Sequence, residues 1–393
     1  MELVKGKNPR VMVILGEPVE YDTSSMIRSR NIIDALFRIG CDVHCYSPYA
    51  DLHSRYYNKD FEFNSDIELI RYGNKIVNPL YEQHKKNKVK QRIIEVLYDL
   101  YKQIDLFGIS LLYVKYKREI SKQIEDYDIL LTFSDPKATH IIGSYCKKKK
   151  KDIMYVQQWG DPLTIDITET SKLPKFIKKG IEALLLKNAD SIYYVSPITM
   201  EEQKELFPQL ATKINFVPTP SEKHLYNKNQ GDRIRIGYVG SYSFVARNIM
   251  PFYNAAKDLK EMDFEIIGDS EKKLEEVENI KIFNRVPHHK LNEYIKSYDI
   301  LVCLMNDKGT QIPGKIFNYA GTDKEILIIQ DGDYGDKIRS YFEKYNRFTF
   351  VRNRKEDIIT ALKTYINVGV KRRSPLSDFM PERIARALIS NER

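Results

Sequence analysis

Short, unbroken apolar runs recur along this chain, separated by longer segments in which apolar residues return every three or four positions. Residues 11–15 form the first run, and its lack of alternation marks a strand covered on both faces, as in a parallel sheet. After the loop Gly16-Glu17-Pro18, Ile27, Ile32, Leu36 and Ile39 repeat at helical spacing over 25–39, with Gly40 placed as the cap. A second strand follows at 42–46, so a βαβ unit opens the chain. The same signal predicts strands at 129–133, 153–157, 191–195 and 214–217. It starts again at 234–241, with a helix at 248–259 and strands at 264–267, 280–283, 300–304, 326–329 and 348–351. Pattern and order together predict an α/β protein of two Rossmann-like parallel-sheet domains. The first spans 1–218, the polar and proline-bearing segment 219–232 is a linker, and the second spans 233–375. The last stretch, 376–393, has helical spacing at Ile384 and Leu388 and is expected to pack back on the first domain.

One segment departs from this alternation. Residues 79–124 read as a long, basic, amphipathic helix with Ile93, Ile94, Leu97, Leu100 and Tyr101 on one side and an apolar patch at 107–113. Such a helix packs on the domain core, the preferred expectation, or lies on a membrane with its lysines at headgroup level.

Composition narrows the classes. A chain of 393 residues exceeds what one compact core holds. With 42% hydrophobic and 30% charged residues it is neither disordered nor fibrous, and no apolar run reaches the ~18–20 residues needed to span a bilayer. The charged segment 1–10 runs into the first strand and is not read as a secretion signal. Cys41, Cys45, Cys146 and Cys303 lack metal-ligand spacing, so no metal is expected and reduced thiols point to the cytosolic side. The formal charge of +9 is patchy: Lys85, Lys86, Lys88, Lys90 and Arg92 make one basic stretch, and 147–151 is an unbroken lysine run. The lysine run is expected to be a solvated face. An anionic membrane surface remains a candidate partner, peripheral at the inner face of the cell membrane. Nucleic acid is not expected, since no zinc-finger, helix-turn-helix or stacking-aromatic signature accompanies the charge.

The chemistry concentrates at Gln311-Ile312-Pro313-Gly314-Lys315-Ile316-Phe317-Asn318-Tyr319-Ala320-Gly321. Pro313 and Gly314 mark a helix start beyond the strand at 300–304, where free N–H groups and the helix dipole favour an anion. Lys315 adds a full charge, and Asn318 falls about one turn later on the same face, within reach of a sugar hydroxyl. An ordinary strand–loop–helix connection has the same spacing.

Several parts, in order, resemble the family 4 type of GT-B glycosyltransferases. Ile236-Gly237-Tyr238-Val239-Gly240-Ser241 resembles the strand and glycine loop that open the donor domain of that family. Residues 279–287 with 291–294 resemble the segment beside the nucleotide base, 298–302 the next donor-domain strand, and 313–319 with 326–327 the helix and strand of the donor site. The resemblance covers about 233–352; the first half matches in organisation only.

The resemblance implies two domains facing each other across a cleft and a nucleotide-sugar donor, with no cofactor and no metal. It assigns donor contacts to Gly240, Ser241, Phe283, Arg285, Pro313, Gly314 and Asn318, and charge stabilisation of the leaving diphosphate to Arg247 and Lys315. Two glutamates usual in the family, eight positions apart, are here Thr310 and Asn318. Asp161, in Gln157-Gln158-Trp159-Gly160-Asp161-Pro162, is a catalytic candidate that orients an acceptor hydroxyl or contacts the donor sugar, or is a plain turn or cap residue. Acceptor-side candidates are Glu17, Arg28, Trp159 and His140, the histidine being expected to be structural more than catalytic. The implied activity is transfer of a hexose to a glycan or lipid-linked glycan, with retention, in cell-surface polysaccharide or glycoconjugate synthesis. A nucleotide-sugar epimerase or hydrolase on the same fold, or a non-catalytic relative, are the alternatives.

Overall fold

The structure is a computed structural model; it describes residues 8–73, 103–167, 171–221, 224, 231–244, 247–286 and 288–390. The chain divides into two compact units, Met1–Val217 with Ile384–Arg393, and Pro218–Arg383. In the first unit seven strands, β1 Arg10–Ile14, β2 Asp42–Pro48, β3 Glu68–Tyr72, β4 Ile129–Phe133, β5 Met154–Trp159, β6 Ser191–Tyr194 and β7 Ile214–Phe216, form one parallel sheet. Their order is β3-β2-β1-β4-β5-β6-β7, so the direction of winding reverses between β1 and β4. Crevices beyond the carboxyl ends of strands at such a switch point are where ligands of doubly wound sheets bind.

Both faces of this sheet are covered, which is why its strands read as continuous apolar runs. Met12, Ile14, Leu130 and Tyr155 join one core; Val11, Val13, Leu131 and Val156 join the other. Ile384, Ala385 and Leu388 of the C-terminal helix Pro381–Ile389 enter the second of these cores, where the Tyr193 hydroxyl donates to the Ala387 carbonyl at 2.8 Å. The first helix, Ser24–Arg38, starts where Thr23 accepts from the Met26 amide at 3.2 Å and ends against Gly40 at φ +94°.

The second unit repeats the scheme with β8 Arg235–Val239, β9 Asp263–Ile267, β10 Ile280–Phe283, β11 Ile300–Leu304, β12 Glu325–Gln330 and β13 Thr349–Arg352. All pairings are parallel, the order is β10-β9-β8-β11-β12-β13, and the switch falls between β8 and β11.

Two expectations change. The basic helix expected over 79–124 falls outside the described residues as far as 102, and the rest is not one helix. It runs as a 3₁₀ segment Gly108–Tyr116, a single turn Lys117–Ile120 and a second 3₁₀ segment Ser121–Asp126. Asp105 accepts from the amides of Phe107 and Gly108, and Gly108 sits at φ +59°, so the chain turns where a continuous helix would need regular dihedrals. Tyr113, Ile120 and Ile124 pack in the core. Strand β3 was not foreseen: Glu-Leu-Ile-Arg-Tyr is an edge strand, only half covered, and carries no continuous apolar run.

Candidate functional site

At the switch point of the second unit, β8 ends at Val239 and the chain turns through Gly240 at φ +147°, its amide donating to the Ile267 carbonyl at 2.7 Å. A Cβ at Gly240 would lie 1.5 Å from the Lys315 ammonium. Glycine is therefore required twice, for the backbone angle and for the approach of the lysine. Lys315 begins the helix Lys315–Ala320 beyond β11, and its Nζ sits 5.9 Å from the centre of the Tyr238 ring. The Tyr238 hydroxyl donates to the Ser241 carbonyl at 2.9 Å and that of Tyr319 to the Val239 carbonyl at 3.4 Å, fixing the turn from both sides.

Arg247 is oriented by its Nε donating to Asn306 Oδ1 at 2.7 Å, while Asn306 Nδ2 donates to the Gln311 carbonyl at 3.2 Å. That bridge ties the loop after β8 to the loop after β11. The Lys315 side chain keeps part of its surface exposed, but its ammonium is set against Gly240, and burial brings its pKa down to about 8. The Cys303 thiol opposes the shift, and the charges of Arg247 and Arg285 add to it. Among the described residues no carboxylate pairs with Lys315 or Arg247. Holding Lys315 and Arg247 near one another with neither paired to a carboxylate costs stability, and such an arrangement is a mark of a binding site for an anion.

The remaining donor candidates surround this point unevenly. Ser241 and Asn318 are exposed, Pro313 is buried, Gly314 caps the helix start, and Phe283 lies tilted against Tyr294 with ring centres 5.8 Å apart. Thr310, in the place of a family glutamate, is buried. The helix has only six residues, so positive potential here comes mainly from Lys315, Arg247 and Arg285 and less from peptide dipoles than the sequence suggested.

Two results should follow. Gly240→Ala is expected to weaken at least tenfold, by calorimetry, the nucleotide binding that the resemblance implies, because the new methyl displaces the ammonium. Affinity of such a site for a nucleoside diphosphate should also depend on pH. Phosphate favours the protonated lysine and raises its pKa in the complex. Binding is thus strongest below about pH 8 and weakens as pH rises through the free-protein pKa.

In the first unit, Glu17, Arg28 and Asp161 come together at the carboxyl ends of β1, β4 and β5. Arg28 Nη2 donates to the Ser134 carbonyl at 2.6 Å and would lie 2.7 Å from a Cβ on Gly160. Burial lowers the Arg28 pKa, opposed by Asp135, Asp161 and Glu17. Glu17 accepts from Thr23 at 2.6 Å and from Ser25 at 3.3 Å; burial raises its pKa despite these bonds. Burial also works against the charge of Lys137, yet Asp135 at 2.9 Å and Asp166 at 3.2 Å outweigh it and hold the ammonium above the usual lysine range. Asp135, Lys137 and Asp166 carry no motif and were invisible in the sequence. Among the described residues no three of His, Cys, Asp and Glu are grouped to hold a metal ion, and all four cysteines are buried free thiols.

Trp159 and His140 do not belong to this surface. Both are fully buried, stacked with ring centres 4.3 Å apart. Alternation along β5 turns Tyr155, Gln157 and Trp159 to one face, so the indole N–H donates to Gln157 Oε1 at 3.0 Å instead of pointing at an acceptor. His140 Nδ1 lies 2.8 Å from the Thr132 hydroxyl, and burial, aided by Lys137, pushes its pKa down to about 3. The unfolded chain takes up this proton near the ordinary histidine value, so the group's contribution to stability falls as pH drops from about 6.5 towards 3. His140→Gln should flatten that part of the acid-unfolding curve.

No family model matches the chain, and no curated protein matches it. Solved structures do. The two parallel-sheet, Rossmann-like units in this order define the GT-B fold, shared with the glycosyltransferases among them. The apo form of the lipopolysaccharide outer core galactosyltransferase WaaB is 14% identical at TM-score 0.56, the match covering 96% of this chain and 95% of that one. TarM is 9% identical at TM-score 0.59, over 98% and 95%. Anabaena Alr3699/HepE in complex with UDP and glucose is 11% identical at TM-score 0.53, over 97% and 95%. A putative UDP-N-acetylglucosamine 2-epimerase from Listeria monocytogenes is 12% identical at TM-score 0.51, over 97% and 94%.

Proposed function

We propose that this protein is a glycosyltransferase that moves a hexose from a nucleoside diphosphate sugar to a glycan or lipid-linked glycan. The observation that carries the reading is the seating of the Lys315 ammonium on Gly240, with Arg247 and Arg285 adding charge at the switch point of the second unit. These groups suit the pyrophosphate of the donor. As the glycosidic bond breaks, negative charge grows on the leaving diphosphate, and fixed cations placed there lower the barrier without a metal. Asn318, exposed one turn on, is assigned to the ribose, and the backbone around Phe283 and Arg285 to the base. In the first unit Asp161 and Glu17, each in the field of Arg28, are assigned to acceptor hydroxyls. Retention of anomeric configuration and a role in cell-surface polysaccharide synthesis belong to the same proposal.

The likeness to an epimerase keeps a second reading in view. Incubating the protein with UDP- and GDP-sugars, alone and with oligosaccharide or lipid-linked acceptors, separates the two. Mass spectrometry should show an elongated acceptor and free nucleoside diphosphate. Epimerised donor without any acceptor would favour the epimerase, and neither product would set both aside.

A further inference from the structure

Far from both switch points in sequence, the first unit carries a helix with two apolar faces. In Lys175–Leu186, Leu185 and Leu186 are buried and the Leu185 carbonyl accepts from Gln157, so one face belongs to the core. The opposite face should be polar in a surface helix. Here Phe176 is 75% exposed, Leu184 58% and Ile177 37%, and a Cβ on Gly180 would meet nothing within 4 Å. Residues 176, 180 and 184 recur every four positions, so this outward face is a continuous strip of apolar side chain and bare backbone.

Charge frames the strip with one sign. Lys172, Lys175, Lys179 and Lys187 are exposed around it, and none of the four is ion-paired among the described residues. Lys178 donates to the Ser171 carbonyl at 2.7 Å. The one carboxylate between 171 and 189 is Glu182, buried and accepting from the amides of Leu163 and Thr164 at 2.9 and 2.8 Å. Hydrogen bonds from Lys172 N and Ser171 Oγ to the Gln103 carbonyl, at 2.7 and 3.2 Å, attach the strip to the segment that continues through exposed Ile104, Leu111 and Leu112. Both that segment and the helix pack on the helix Thr139–Lys149, so they belong to one side of the unit.

We propose that this face docks the protein onto an anionic lipid surface, with Phe176, Ile177 and Leu184 entering the acyl boundary and the lysines lying at headgroup level. Apolar anchors ringed by cations that form no ion pair among the described residues, with no exposed carboxylate between 171 and 189, have the charge complementarity such a surface requires. The inference stands apart from the donor site: nothing in it depends on Lys315 or Gly240.

The test is co-sedimentation of the full chain with phosphatidylcholine vesicles, with and without phosphatidylglycerol. Binding is expected only with the anionic lipid and is expected to fall with salt. Phe176→Ser with Leu184→Ser should reduce it at least tenfold, and each of Lys175→Gln and Lys179→Gln about fivefold. Lys363→Gln, on an exposed position of a second-unit helix, should leave it unchanged. Circular dichroism of each variant confirms folding. Absence of binding to anionic vesicles overturns the proposal, as does binding that survives the Phe176 and Leu184 changes. So does self-association in sedimentation velocity that those two changes abolish while vesicle binding persists.

Discussion

Lys315→Ala should weaken binding of UDP or another nucleoside diphosphate by about 10- to 100-fold and lower kcat by roughly 10²–10³. The larger effect on kcat follows from where charge develops: the leaving diphosphate gains its negative charge only as the bond breaks, so a cation held against it acts most in the transition state. The free protein should behave in the opposite way. Lys315 sits among the charges of Arg247 and Arg285 with burial working against its own, so its removal relieves strain and the apo melting temperature should stay level or rise. Differential scanning fluorimetry with and without UDP checks both halves at once. A variant that loses stability and ligand together would point to a structural lysine instead.

The second large effect is expected in the first unit. Trp159→Ala removes a fully buried indole together with its stack on His140 and its bond to Gln157, and should cost about 3–5 kcal/mol. At roughly 2–4 °C per kcal/mol for a unit of this size, unfolding should begin on the order of 10 °C earlier. Trp159 is the only tryptophan, so in the parent protein its emission reports the unfolding of this unit directly. Nucleoside diphosphate binding to the variant below its melting range should be unchanged, because the indole is assigned to packing and not to a ligand. A loss of binding with intact stability would return Trp159 to the site.

How far the sequence could be read depended on which physical signal each residue leaves. Strands such as β4 and β11 are buried on both faces and leave unbroken apolar runs, so two parallel-sheet units were legible from pattern alone. Edge strand β3 is half covered and left no such run. The stretch after residue 102 kept helical spacing, but Asp105 and Gly108 redirect the backbone, a local event that periodicity does not record. At the switch point of the second unit Gly240 and Lys315 were legible as residue types, and the structure brings them into contact. Asn306, which aims Arg247, was not, since an asparagine in a loop carries no periodic or motif signal. The burial of Trp159 was hidden for a related reason: one-residue alternation at a strand end decides whether a side chain meets solvent or core, and β5 extends to Trp159, two residues beyond its expected end, whereas the burial of His140 agrees with the structural reading preferred for it.

A pyrophosphate that meets the Lys315 ammonium at Gly240 must bind with a linked proton, and titration calorimetry with UDP and GDP at pH 7, pH 8 and pH 9, each in two buffers of different ionisation enthalpy, tests this most directly. Tighter binding of one of them at pH 7, with proton uptake seen as a buffer-dependent heat near pH 8, is the predicted result. Binding of neither nucleotide, or binding with no linked proton at any pH across that range, would contradict it.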